Sequence, residues 1–274
     1  MLESVAEALA DLSRLEKRLP TLASSCAVLG DMLPALFGAP ILDKPPALEP
    51  SAVAAKLEEG VPLLQHEKIT LDNASFQKRW LGVCRAIARQ NPDADAVAHG
   101  FVSLDPPGLL QDVFDGRPEA VAARADERGL NAALTATVLR LTAFPVLVHF
   151  AAGLQAQANA WRHGYCPICG SVPLLGEFRG LEQLRFLRCG LCAAQWQFSR
   201  LRCPACGAQD HKQLGFLQVE GEENHYRAAT CDACHGYVKM ISTLAPLTPP
   251  QLLVADLATL HLDLMALERG FGGA

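Results

Sequence analysis

Leucine and alanine recur at helical spacing over residues 1–18 and 21–37, predicting two helices divided by Pro20 and ended by Gly38 and Pro40. A proline-rich connector runs from Ala39 to Pro50. The helical period resumes over Ser51–Glu59 and again over Phe76–Arg89, where Phe76, Trp80, Val83, Cys84 and Ile87 share one face. Asp105–Gly108 signals a turn, and Leu130–Trp161 reads as a long apolar helical stretch kinked at Pro145. From Gly164 to about Ser242 the texture changes. Leu184–Arg188, Gln213–Val219 and Tyr226–Thr230 read as short strands between cysteine-bearing turns. Beyond Pro249 and Pro250 the helical period returns. Leu253, Leu257, Leu260, Leu264 and Leu267 form one apolar stripe, expected to dock on the N-terminal helices.

The cysteines give the second region its chemistry. Eight of the ten fall into four Cys-x-x-Cys pairs: Cys166/Cys169, Cys189/Cys192, Cys203/Cys206 and Cys231/Cys234. Such a turn sets two sulfurs on one side of a tight loop, and a second turn brought alongside by a hairpin completes a tetrahedral site. Cys166-Pro167-Ile168-Cys169-Gly170 is echoed by Cys203-Pro204-Ala205-Cys206-Gly207, each glycine suiting a backbone turn with positive φ. The second pair of each unit follows after 19 and 24 intervening residues, as in zinc ribbons. All eight cysteines are therefore candidate metal ligands. Sequential use, with the first four on one ion and the last four on another, closes the smallest loops. Interleaved ligation is the competing arrangement. Zinc and rubredoxin-type iron both accept four thiolates, so the donor set does not choose between them.

These signals predict an α+β chain. An all-α domain spans 1–161, and two tandem rubredoxin- or zinc-ribbon-like metal modules occupy 162–202 and 203–245. A C-terminal helix over 246–274 is expected to pack on the helical domain. His163 and His235 flank cysteine pairs and are read as solvated or supporting the ligands, with four thiols already available per site. His149, Cys26 and Cys84 sit on apolar helical faces and are read as core residues.

Charge narrows the function. The formal net charge is -5, so no global basic field draws the chain to nucleic acid or anionic lipid. Between Arg162 and Thr243 nine Lys and Arg face seven Asp and Glu, and eight thiolates outweigh the charge of two divalent ions. A nucleic-acid-binding zinc ribbon, the commonest use of such knuckles, is thereby disfavoured. Glu3, Glu7, Asp11 and Arg14 interrupt any apolar signal core, and the uncharged stretch Leu141–Asn159 holds Pro145, His149 and three amides. A cytoplasmic location is expected. No hydrolase elbow, phosphate-binding glycine loop, dinucleotide fingerprint or His-Glu-x-x-His helix occurs, so no catalytic or organic-cofactor residues are assigned.

The residues between the pairs carry a more specific likeness. Leu187-Arg188-Cys189-Gly190-Leu191-Cys192-Ala193-Ala194-Gln195-Trp196 leads through Arg200 into the third pair. Tyr226-Arg227-Ala228 and Thr230-Cys231-Asp232-Ala233-Cys234-His235-Gly236-Tyr237-Val238-Lys239 follow. This pattern resembles the FdhE-type formate dehydrogenase accessory proteins, specifically over Trp161–Ile241 and more loosely over the tail Ala255–Leu260 with Asp263. The resemblance implies a cytoplasmic, non-enzymatic maturation factor that binds the catalytic subunit of formate dehydrogenase. It further implies that the cysteine pairs hold iron of rubredoxin type. A rubredoxin-like electron-transfer role is the remaining alternative and is compatible with it.

Overall fold

The computed structural model describes residues 2–222 and 224–273, which divide into two compact units. The first comprises 1–49 and 64–153, the second 50–63 and 154–274.

The first unit is helical: α1 (Leu2–Arg18), α2 (Ala23–Phe37), α4 (Asn73–Ala88), α5 (Asp93–His99), α6 (Phe101–Leu104), α7 (Pro106–Phe114), α8 (Glu119–Asp126) and α9 (Ala132–Leu154). A 3-10 turn at Pro20–Leu22 separates α1 from α2, where Pro20 interrupts the period. On α4 the apolar face is buried as spaced, with Phe76, Trp80 and Val83 fully covered. The Trp80 indole N–H reaches the Val97 carbonyl on α5 at 3.1 Å, so the one polar atom of that ring is satisfied. The stretch Ala132–Ala158 is long and apolar enough to cross a bilayer, as is Pro20–Phe37; 67% of the former is buried inside the protein. Phe144, Val146, Leu147 and Phe150 of α9 account for much of that buried surface.

The second unit is built on one mixed sheet: β1 (Pro173–Arg179), β2 (Leu184–Cys189), β3 (Gln195–Gln197), β4 (Leu214–Leu217), β5 (Tyr226–Cys231), β6 (Gly236–Thr243) and β7 (Gly272–Gly273). The order is β3-β2-β1-β6-β5-β4, with β7 beside β6. Neighbours within β1–β3 and within β4–β6 are antiparallel, whereas β1 and β6 run parallel, Leu175 opposite Lys239 and Phe178 opposite Ser242. The repeated cysteine unit thus appears as two three-stranded meanders standing in the same order, fused edge to edge. The sequence pattern treated them as separate ribbons; fusion hides one polar edge of each.

Two glycines permit the close approach. A Cβ at Gly176 would lie 2.6 Å from the Met240 sulfur across the parallel pair. One at Gly164 would fall 1.8 Å from the Pro204 carbonyl oxygen, where the entry to the first meander meets the second.

Two further elements belong to this unit. The segment containing α3 (Pro50–Glu59), which the periodicity assigned to the helical region, lies here. Its end is tied to the first knuckle: Leu63 N–H donates to the Pro167 carbonyl at 2.9 Å and the Tyr165 hydroxyl to the Gly60 carbonyl at 2.7 Å. The C-terminal segment forms two helices, α10 (Pro249–Ala258) and α11 (Leu260–Glu268), with axes bent by 45°. Thr259 sits at the bend, its hydroxyl donating back to the Ala255 carbonyl at 2.8 Å. The bend changes the phase of the expected stripe. Leu262 and Ala266 become buried, and Leu260, Leu264 and Leu267 are exposed. α11 packs on β4–β7 of the same unit.

Candidate metal centres

Each cysteine pair ends in the same backbone device. The residue after the second cysteine has positive φ in all four: Gly170 at +80°, Ala193 at +54°, Gly207 at +79° and His235 at +54°. That residue's N–H returns to the carbonyl of the first cysteine at 3.0 Å for Gly170 and Gly207 and 3.1 Å for Ala193. The chain therefore curls around the sulfurs and turns backbone donors toward them. Ile168 N–H lies 3.4 Å from Cys166 Sγ, and Leu191 N–H lies 3.3 Å from Cys189 Sγ. Such donors favour thiolate over thiol.

The strands then bring the pairs together. Cys189 ends β2 and Cys231 ends β5, so each hairpin delivers its second pair opposite the knuckle that opens its meander. The sulfurs gather as Cys166, Cys169, Cys189 and Cys192, and as Cys203, Cys206, Cys231 and Cys234, all ligand atoms in each set lying within 4.8 Å of one another. Sulfurs from different pairs approach to 3.5 Å (Cys166–Cys192), 3.4 Å (Cys169–Cys189) and 3.7 Å (Cys203–Cys234 and Cys206–Cys231). Zn–S bonds of about 2.3 Å place tetrahedral sulfurs about 3.8 Å apart. A disulfide would need about 2.05 Å, and all ten cysteines are free. The donor set fits a four-coordinate, thiophilic ion in each place, zinc or iron equally.

The two sets differ in cover. In the first, Cys166, Cys189 and Cys192 are buried and Cys169 half-buried; in the second, Cys206 and Cys234 are exposed. Pro62 packs on the corner of the first knuckle, where its Cγ would lie 3.1 Å from a Cβ on Gly170. Burial pushes the Cys166 and Cys192 thiols up, whereas hydrogen bonds from Cys166, Cys189 and Cys192 hold Cys169 down. Four adjacent sulfurs without a cation would share protons; a bound cation removes that constraint.

Other side chains brace the cysteine turns. Glu177 is fully buried on β1, paired with the Arg188 guanidinium and with Arg179 Nε at 2.6 Å. Arg188 also donates to the Ala193 carbonyl at 3.3 Å, linking the sheet to the second turn of the first set. The Trp196 indole donates to the His163 carbonyl at 3.0 Å. Gln155 clasps the edge strand β3 reciprocally, donating to the Gln195 carbonyl at 2.7 Å and accepting from its N–H at 3.0 Å. Periodicity did not single out Glu177 or Gln155; an isolated acid in an apolar strand was the one available signal for the former. His163 stacks among Trp161 and Tyr165, and His235 is exposed at its positive-φ corner; neither is in a sulfur cluster.

Family models described as "FdhE, central domain" and "FdhE, C-terminal domain" match residues 165–200 and 201–273, dividing the chain where the two meanders meet. A protein FdhE homolog of Stutzerimonas stutzeri is 41% identical over 110 residues, 39% of this chain and 35% of that one. One from Aquifex aeolicus is 34% identical over 131 residues, 46% of this chain and 45% of its own. The matched stretches thus span less than half of those two relatives. A homolog from Pseudomonas aeruginosa is 30% identical over 246 residues, covering 84% of this chain and 76% of its own. The crystal structure of the FdhE protein from Pseudomonas aeruginosa superposes with a TM-score of 0.67 over 98% of this chain and 92% of that one, at 23% identity, which shows the fold to be shared. The likeness read first around the cysteine pairs therefore extends well into the helical unit, and the chain belongs to the FdhE family.

Proposed function

We propose that this protein is a cytoplasmic accessory factor that binds the catalytic subunit of formate dehydrogenase during its maturation, without being the dehydrogenase. The observation that carries this reading is the pair of four-sulfur clusters in a member of the FdhE family. Cys166, Cys169, Cys189 and Cys192 would hold one ion, and Cys203, Cys206, Cys231 and Cys234 the other. A bound ion would cross-link each meander, and iron would add a one-electron couple. The exposure of Cys206 and Cys234 favours the second cluster for any electron exchange, since it leaves that cluster the more open to a partner.

The test has two arms. Full-length tagged protein, co-produced with a formate dehydrogenase catalytic subunit, should retain that subunit through purification. Anaerobically prepared protein should contain two metal ions, with visible thiolate-to-iron absorption if the metal is iron. Absence of any affinity for the subunit overturns the accessory reading, and a colourless two-zinc protein removes the redox role.

A further inference from the structure

The linker between the two meanders lies at an unusual concentration of cations. Arg200 and Arg227 stand over the Phe178 ring at 5.1 and 5.2 Å, and Arg227 also over Phe216 at 5.3 Å. Arg185 and Arg202 flank Phe198 at 5.7 and 5.8 Å. Among the described residues none of these four arginines forms an ion pair. Arg185 donates instead to the carbonyls of Ser199 and Arg202, at 3.3 and 3.1 Å, and Arg202 to that of Arg162, at 3.3 Å. Arg185 is 95% buried (5% exposed), and its Nε and Nη2 have no hydrogen-bond partner.

Beside these groups lies a cavity of about 90 Å³ whose lining includes Arg185, Arg200, Arg202 and His211. A wider groove shares Arg185, Arg200 and Leu201 with it and adds Arg162. Among the described residues no aspartate or glutamate lines either, and the anionic groups in the cavity wall are the Cys203 and Cys231 sulfurs of the second cluster. The four arginines outnumber the net negative charge of four thiolates around one divalent ion, so in a chain of net charge -5 this remains a local reversal of sign. The rim is apolar as well: Leu201 is 67% exposed and Phe216 48%.

We propose that this arginine-lined groove around Ser199–Arg202 is a docking site for an acidic, leucine-bearing segment of a partner polypeptide. Arg200, exposed and held over the Phe178 ring, presents a guanidinium that suits bidentate recognition of carboxylates. Leu201 and Phe216 supply apolar contact for the residues between those carboxylates. A nucleic-acid strand fits less well. Its phosphates need cations along an extended track, whereas these converge on one small cavity. The Phe178 ring, which could stack a base, is already engaged by two arginines. The inference goes beyond the accessory reading, since it holds whichever polypeptide supplies the acidic segment.

The full-length protein is titrated, with fluorescence anisotropy, against a labelled peptide of glutamates interspersed with leucines. The same peptide with glutamine for glutamate and a labelled single-stranded oligonucleotide serve as comparisons. The glutamate peptide should bind in a salt-dependent manner, and the glutamine version at least about tenfold more weakly. Arg200→Glu should weaken glutamate-peptide binding by about tenfold or more. Leu201→Ser should weaken it severalfold, with thermal unfolding of both variants unchanged. If Arg200→Glu does not fold, the two peptides on the unaltered protein and Leu201→Ser still decide. No binding of the glutamate peptide, equal binding of its glutamine version, or tighter binding of the oligonucleotide overturns the proposal.

Discussion

Lys239, buried in the middle of β6, places its Nζ 2.5 Å from Oδ1 of Asp256 on α10. The same ammonium lies 2.7 Å from Oδ2 of Asp263 on α11, whose other oxygen accepts from the Tyr237 hydroxyl at 2.8 Å. One cation on the sheet thus holds both C-terminal helices. It also explains why α11 turns its polar Asp263 toward the sheet and leaves Leu260, Leu264 and Leu267 outside.

Replacing Lys239 by Met should therefore loosen the C-terminal helices. Breaking a fully buried pair costs about 3–5 kcal/mol. Asp256 and Asp263 retain 32% and 23% side-chain exposure, so water compensates in part and a loss of about 1–3 kcal/mol is expected. Urea unfolding measures it, and an unchanged midpoint would contradict the anchoring role.

Alkaline pH should act on the same network through Tyr237. Burial, then the hydrogen bond to Asp263 and the charges of Asp263 and Asp256, raise its phenol above the usual value. The folded state therefore keeps a proton that the unfolded chain releases near pH 10. This contribution to stability is complete below about pH 10 and declines as pH rises toward the folded-state pKa. Tyr237→Phe should make the fall in stability above about pH 10 shallower than in the unaltered protein. Chemical denaturation across that range tests the sign.

Removing one thiol from each cluster separates the sites. Cys166→Ser and Cys203→Ser should each reduce bound metal from two ions to one, read by elemental analysis. The Cys166 variant should melt at the lower temperature, because its cluster is the more deeply covered. Loss of both ions from either variant would mean that the two clusters do not load independently.

The corners of the cysteine turns offer a backbone test. Only the Arg202 side chain would approach a Cβ on Gly207, at 3.6 Å, so the cost of Gly207→Ala is nearly all φ strain, about 1–2 kcal/mol. At the equivalent corner His235 already bears that strain. His235→Gly should range from neutral to about 1 kcal/mol more stable, with metal content unchanged. A fall in bound metal would instead make the imidazole a ligand.

Much of this was legible along the chain. The cysteine spacing, the repeated Cys-Pro-x-Cys-Gly and the strand-like residues between pairs specify local turns and hairpins, and both glycine corners adopt the positive φ their position called for. The periodicity of Phe76, Trp80 and Val83 marked the buried face of α4 in the same way. Less legible was the C-terminal stripe. A steady leucine spacing assumes one straight helix, and Thr259 breaks the phase halfway.

Local chemistry by itself thus determined the mixed class, the helical opening and the eight sulfurs, because turn residues, side-chain period and thiol pairs act over a few positions. Tertiary structure alone decided the rest. It made one sheet of two meanders by parallel pairing of β1 with β6 and set Pro62 against the first knuckle. It also gathered Arg185, Arg200, Arg202 and Arg227 around three phenylalanine rings. Most of these contacts join segments far apart in the chain, and their partners share no spacing that a linear pattern records.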